Sequence, residues 1–360
     1  MMPMIPVQLG LLDPLYRLFG WILGLLYGWL NNYGLVIILF TIAIRLILMP
    51  LGLRSQRGML RQQMLQDEVN EIKRRYPKDN MKVQELTQEL YKKNGISMMS
   101  GCLPSVLSLL VIWPILYIFR APLRFIVGVD FQNIYNIAYS LTNRGLMTAS
   151  ELKNVAIMDI PVLQGLRSSG SALEHAVSNG WIQLSEVINT NFLGIDLAMK
   201  PSWNPAVWFG EDWRVQLPMV LLIVITMITY FFQMRITRRS TPRPPQTKEE
   251  RKREKANPAK RGQTPDQGAG MMKSMNVVMP IVMLFTMFAM PSAMCLYWLF
   301  QNLMFIMQSL LGYHFYVKPI RRVYAEEQAG LNRSRADDEA AEKPSFWQKM
   351  TSKKGGKKNQ

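Results

Sequence analysis

Long apolar runs alternate along this chain with stretches dense in charge. Five of the runs, 34–53, 100–120, 214–234, 273–290 and 292–312, predict membrane-crossing helices. A helix of roughly 20 residues covers about 30 Å, the thickness of a bilayer's hydrocarbon core. The earlier run 18–30 covers only about 20 Å and follows Asp13 and Arg17. With Trp21, Tyr27 and Trp29 it predicts an amphipathic helix within 1–33 that lies along the outer interface. A signal anchor and a cleaved signal peptide are the alternatives, and both are weakened because no basic segment precedes the apolar part.

The polar stretches have patterns of their own. In 54–99, Leu65, Val69, Ile72 and Tyr76 recur at helical spacing up to Pro77, which ends that helix. Asp79 or Asn80 caps a second helix with Val83, Leu86 and Leu90 on one face, and Gly95 stops it. The pattern predicts an antiparallel helical hairpin with arms of about 30 Å. A solvated helix pair with no further role fits the same pattern. Segment 121–213 is of mixed polarity, with weak helical signals near 150–156 and 171–188, and reads as an α-rich insertion. Segment 235–272 is rich in proline and charge and predicts a disordered linker. A basic tail, 313–360, closes the chain.

Charge orients these elements. Of 42 lysines and arginines, 33 fall in 54–99, 235–273 and 318–360, whereas 121–214 holds six against eight acids. The three basic segments alternate correctly with five spans. The positive-inside bias therefore puts hairpin, linker and tail in the cytoplasm, and the N-terminus and the insertion outside.

One residue breaks the apolar pattern of the spans. Arg45 lies mid-span in 34–53, and none of the five spans contains an aspartate or glutamate. Arginine does not shed its proton, and a charge at that depth costs roughly 2.5–3.5 kcal/mol even on the lenient insertion scale. The remaining polar groups of the spans, Thr41, Ser105, Ser108, Gln233, Asn276, Gln301, Asn302 and Gln308, are neutral. Hydration in a groove between helices offsets the cost. Snorkelling toward the level of Arg54, about 13 Å away, is the competing account. The expected fold class is an all-α polytopic membrane protein, with five transmembrane helices around a hydrophilic groove, a cytoplasmic helical hairpin and an N-terminal interfacial helix.

Methionine adds a second pattern. Met271, Met275, Met279, Met283 and Met287 recur every four residues, which keeps neighbours adjacent but slips about 40° per step. Plain core or lipid packing accounts for such a row. So does a surface that adapts to varied apolar partners. Two cysteines, Cys102 and Cys295, and two histidines, His175 and His314, make no disulfide framework, metal set or nucleophile–base pair. The chain is therefore not expected to be an enzyme or to carry a cofactor or metal.

Several local patterns together resemble the YidC/Oxa-type membrane protein insertases in their five-span, Gram-positive-like form. They are ELYKKNG at 89–95 leading into GCLP at 101–104, FLGIDLA at 192–198, CLYWLFQNLMFIMQ at 295–308, and Arg45 in the first span. Two departures stand out: Ser97-Met98 where Asn-Pro is frequent, and SLLVIWPIL in the second span where a more polar pattern is common. The resemblance implies an insertase that moves nascent membrane proteins into the bilayer without nucleotide hydrolysis. It implies a substrate groove of Arg45, Thr41, Ser105, Ser108, Gln301 and Asn302. It implies an apolar slide of Leu107, Leu110, Val111, Trp113, Met279, Met283 and Met287. Nascent membrane proteins and the lipid bilayer are the implied partners, with the ribosome at the tail, the signal recognition machinery at the hairpin and the general translocon beside them. The implied location is the bacterial plasma membrane, with the N-terminus outside and the C-terminus cytoplasmic. The competing class is a transporter or channel with a hydrated arginine. Such a protein usually shows internal repeats and paired intramembrane carboxylates, and neither is visible here.

Overall fold

The computed structural model describes residues 13–77, 79–96, 99–211, 213–240 and 267–319, together with 322 and 326. Segment 1–12, most of the 235–272 linker and most of the tail lie outside the described residues, as do the side chains of 63–64, 66–67, 97–109, 238–240 and 267–277.

The fold is helical. α1, Asp13–Leu30, buries Tyr16, Phe19, Gly20, Leu23 and Tyr27, a stripe at helical spacing, and exposes Trp21 and Trp29. Gly20 and Gly24 let this helix touch the backbone beyond the second span. A Cβ at Gly20 would stand 2.6 Å from the Phe125 carbonyl oxygen, and one at Gly24 would stand 2.5 Å from that of Ile126. α2 runs Tyr33–Met64 without a break, past the expected end at 53 and through Pro50. Pro50 removes one ladder bond, and the arginines, glutamines, methionines and leucines that follow are good helix formers that carry the helix on. The hairpin that follows, α3 (Gln66–Arg75) and α4 (Asn80–Lys93), is correspondingly shorter than the pattern suggests, with arms of about 15 and 21 Å. Asp79 caps α4, accepting the Lys82 amide at 2.9 Å.

α5, Met99–Arg120, leads into the insertion. Five helices precede its hairpin: α6 (Pro122–Phe125), α7 (Phe131–Asn143), α8 (Ala149–Lys153), α9 (Ile160–Ser168) and α10 (Gly170–Ser178). The weak helical signals near 150–156 and 171–188 correspond to α8 and α10. α7 and α9 fall outside those signals, although Asp130 caps α7 and Ile134, Ile137, Ala138 and Leu141 form its buried stripe. Two short strands follow, β1 (Asn191–Phe192) and β2 (Ile195–Asp196), paired antiparallel. Leu193 and Gly194 turn between them with φ of 52° and 81°, the two positive values that a tight two-residue hairpin demands. After α11 (Pro205–Trp208) come three long helices, α12 (Trp213–Ser240), α13 (Gln267–Ala289) and α14 (Ser292–Gly312).

Among the described residues, Tyr33–Gln62, Trp213–Thr237 and Ser292–Val317 are long and apolar enough to cross a membrane, and Leu110–Arg120 and Val278–Ala289 add shorter apolar stretches. The chain is thus an all-α polytopic membrane protein. α14 is its central post, packed along both α12 and α2, with eleven of its residues buried.

Asp159 joins α5 to the insertion. Its amide bonds the Arg120 carbonyl oxygen at 3.0 Å. Its fully buried carboxylate accepts the amides of Leu123 at 3.2 Å and Arg124 at 3.0 Å, the open first turn of α6. Burial outweighs these bonds and the nearby Arg124 charge, and pushes the Asp159 carboxyl up to about 7. The folded state therefore holds a proton that the unfolded chain gives up near the ordinary value of 3.8. Stability falls as pH rises from about 4 to about 7 and is flat above that. Thermal melts of the purified protein should show this slope, and Asp159→Asn should flatten it. A slope that survives the substitution assigns the titration to another group.

Candidate functional site: the Arg45 pocket and its closed end

Arg45 stands three turns into α2 and faces α14. Its guanidinium donates to the Tyr297 hydroxyl and lies 4.3 Å from the centre of the Phe305 ring. Gln301 comes between these two on α14, and the spacing of four puts all three along one side of the helix. The Gln301 Oε1 is buried with no hydrogen-bond partner. The described ion pairs, Arg17–Asp13, Arg75–Glu71 and Arg167–Asp196, all lie elsewhere. The pocket therefore holds a half-buried cation, a phenol, an aromatic face and an open carbonyl acceptor, with no carboxylate among the described residues to cancel the charge. Such a site attracts an anionic or strongly dipolar group and lets it exchange.

The remaining predicted groove residues do not all converge there. Thr41 is buried one turn before Arg45, and its hydroxyl donates to the Ile37 carbonyl of its own helix at 2.6 Å. Asn302 faces α12, donating to the Thr226 carbonyl at 3.3 Å and approaching the Thr229 hydroxyl at 3.5 Å. The side chains of Ser105 and Ser108 lie outside the described residues. Gln301 thus lies on the side of α14 that Arg45 faces, Asn302 is turned to a different interface, and Tyr297 and Phe305 are the partners that sequence reasoning missed. The available signal was the 297/301/305 spacing inside CLYWLFQNLMFIMQ, which aligns an aromatic, an amide and an aromatic.

The apolar candidates divide too. On α5, Trp113 and Leu110 are exposed and Val111 is half-buried, while the Leu107 side chain lies outside the described residues. On α13, Met279 is 52% exposed, Met283 is half-buried and Met287 is 0% exposed. The methionine row is therefore not one surface. Its 40° slip per step winds it from the outside of the helix into the core. The open face of α13 consists of Val278, Met279, Ile281, Val282 and Phe285.

Both ends of the α2–α14 contact are close-packed. Toward the hairpin, Gln308 covers Gly52 and Gln56 covers Gly312, so each glycine leaves room for a glutamine of the other helix. Toward the insertion, FLGIDLA does the joining. The Leu197 carbonyl accepts the Ala293 amide and the Met199 carbonyl accepts the Ser292 amide, each at 2.9 Å, which satisfies the open first turn of α14. The Tyr33 amide bonds the Asn189 carbonyl at 3.1 Å, and the Phe192 ring fills the space beside Gly34. Arg167 pairs with Asp196 at 3.2 Å and bonds Thr190, which itself donates to Asp196 at 2.6 Å. One loop thereby ties the starts of α2 and α14 together, with the Arg45 pocket deeper between the same helices.

The sequence profile of the family described as 60Kd inner membrane protein matches residues 25–319. Proteins named membrane protein insertase YidC align with parts of the chain. The one from Caldanaerobacter subterraneus is 35% identical over 101 residues, 28% of this chain and 49% of that protein. That from Clostridium perfringens is 30% identical over 131 residues, 34% of this chain and 55% of its own. That from Treponema pallidum is 35% identical over 116 residues, 32% of this chain and 19% of its own. The alignments span about half of the first two relatives and about a fifth of the third.

Proposed function

The chain belongs to the 60Kd inner membrane protein family, and on that premise we propose that it is a membrane protein insertase whose working charge is Arg45. The observation that supports this most is the pocket itself: a cation between α2 and α14 with no carboxylate partner among the described residues, on the side of α14 that carries the buried, unpartnered Gln301 acceptor. The hairpin receives a nascent membrane protein on the cytoplasmic side. The polar, frequently acidic outer segment of the substrate enters the groove, where Arg45 and the Tyr297 hydroxyl compensate for lost hydration. The apolar segment slides along the open faces of α5 and α13, by Leu110, Trp113, Val278, Met279 and Phe285, into lipid. Partitioning about 20 apolar residues supplies the free energy, so no nucleotide is hydrolysed. The FLGIDLA junction keeps the outer end of α2 and α14 together, so that the groove opens to the cytoplasm and to lipid. Basic residues of the tail suit ribosomal phosphates, and the signal recognition machinery and the general translocon are further partners in this scheme.

The test is reconstitution. Liposomes holding this protein alone should insert a synthesised single-span protein with an acidic outer segment, scored by protease protection, without added nucleotide once synthesis is complete. Protection no greater than in empty liposomes would sink the reading.

A further inference from the structure

At the insertion end of the membrane helices is a cavity of about 230 Å³, lined by Arg120, Asn154, Ile157, Met158, Lys200 and Pro291, with Ala289 at its edge. It brings together the last residue of α5, the link between α8 and α9, the residue that follows Met199, and the turn between α13 and α14. Two of its residues are cationic, Arg120 and Lys200, and neither has an ion-pair partner among the described residues. The neighbouring carboxylates are engaged: Asp159 with the Leu123 and Arg124 amides, Glu151 with Thr148. The Asn154 amide donates to the Ser150 carbonyl.

The level of the cavity is set by a separate observation. Trp203 stacks on Phe288 with centroids 4.1 Å apart and lies 5.0 Å from Phe285, and Trp208 stacks on Phe288 at 6.2 Å. Such aromatic clusters mark the boundary between hydrocarbon and water. Phe288 immediately precedes Ala289, so the cavity opens at the depth of lipid headgroups. The volume falls below the 300 Å³ or more usual for drug-sized ligands and suits a small anionic group.

We propose that this cavity is a binding site for the phosphate of an anionic phospholipid in the leaflet on the insertion side. Arg120 and Lys200 supply the opposing charges, and Ile157, Met158 and Ala289 form the apolar rim beside the acyl chains. The charge complementarity and the headgroup depth both favour a lipid phosphate over a free one.

Native mass spectrometry of the full-length protein, purified in mild detergent with phosphatidylglycerol or phosphatidylcholine, reads the occupancy directly. Phosphatidylglycerol should be retained and phosphatidylcholine should not. Arg120→Gln combined with Lys200→Gln should weaken retention by about thirty-fold, about five- to six-fold for each cation. Arg120→Lys should keep most of it, which separates charge from any loss of fold. Equal retention of the two lipids, or retention unchanged in the double variant, overturns the proposal. So does inorganic phosphate that displaces the lipid at equal concentration, since the site would then recognise free phosphate.

Discussion

Arg45→Ala should cut insertion of a substrate with an acidic outer segment by about ten- to thirty-fold, while a substrate with an uncharged outer segment inserts nearly normally. The size follows from what the charge offsets. Carrying a carboxylate to mid-membrane costs roughly 2.5–3.5 kcal/mol. A cation in a half-buried pocket returns a large part of that, about 1.4–2 kcal/mol for the stated range. Arg45→Glu should be worse, because it adds repulsion to the loss. Arg45→Lys keeps a charge but loses the planar fork that reaches Tyr297, and should retain part of the activity. Tyr297→Phe serves as the control for a merely structural role: it removes the hydroxyl that Arg45 bonds and leaves the cation over Phe305. The measurement is insertion of matched acidic and neutral substrates in liposomes. If Arg45→Ala slows both substrates equally, the charge is not acting on the outer segment.

Gly24→Ala and Gly28→Ala should move stability in opposite directions. Both glycines lie in α1, and in any helix alanine is favoured over glycine by roughly 0.5–1 kcal/mol. At Gly28 nothing stands within 4 Å of the new methyl group, so that gain should appear unopposed. At Gly24 the methyl group would meet the Ile126 carbonyl oxygen at 2.5 Å, and that oxygen is backbone and cannot rotate aside. Forcing the helix away should cost about 1–3 kcal/mol of packing, enough to reverse the sign. Apparent melting temperatures of the two variants in one detergent settle the point. A Gly24→Ala protein as stable as Gly28→Ala would mean that α1 is free of the α6 turn. Holding α1 there matters because Tyr27 also accepts the Asn189 amide at 2.8 Å, the loop that joins α2 to α14.

Much of this was legible in local pattern. Apolar runs marked α2, α12 and α14, which are long and apolar enough to cross a membrane with their own hydrogen bonds satisfied, and the shorter apolar stretches of α5 and α13. Asp79 announced the start of α4 because an unpaired helix N-terminus selects such a residue. The family motifs were equally visible, but not what they do. FLGIDLA reads as an apolar stretch with one aspartate, yet in the fold it offers the Leu197 carbonyl oxygen to α14, next to that of Met199 just beyond it, and the Phe192 ring to Gly34. The partners in such contacts are more than ninety residues away, and no spacing rule joins them.

Arg45 shows the division most clearly. Its sequence determined that a permanent charge stands in an apolar span and that no span can offer it a carboxylate. Both statements concern residue type alone, so they needed no coordinates. Tertiary structure decided which neutral groups meet the charge. Tyr297 and Phe305 reach it while Asn302, one residue from Gln301, turns to Thr226, because adjacent residues on a helix point about 100° apart. The same rotation takes Met279 to the surface and Met287 to the core. A sequence states what each helix carries; only the packing of α14 between α2 and α12 states which side of it faces the charge.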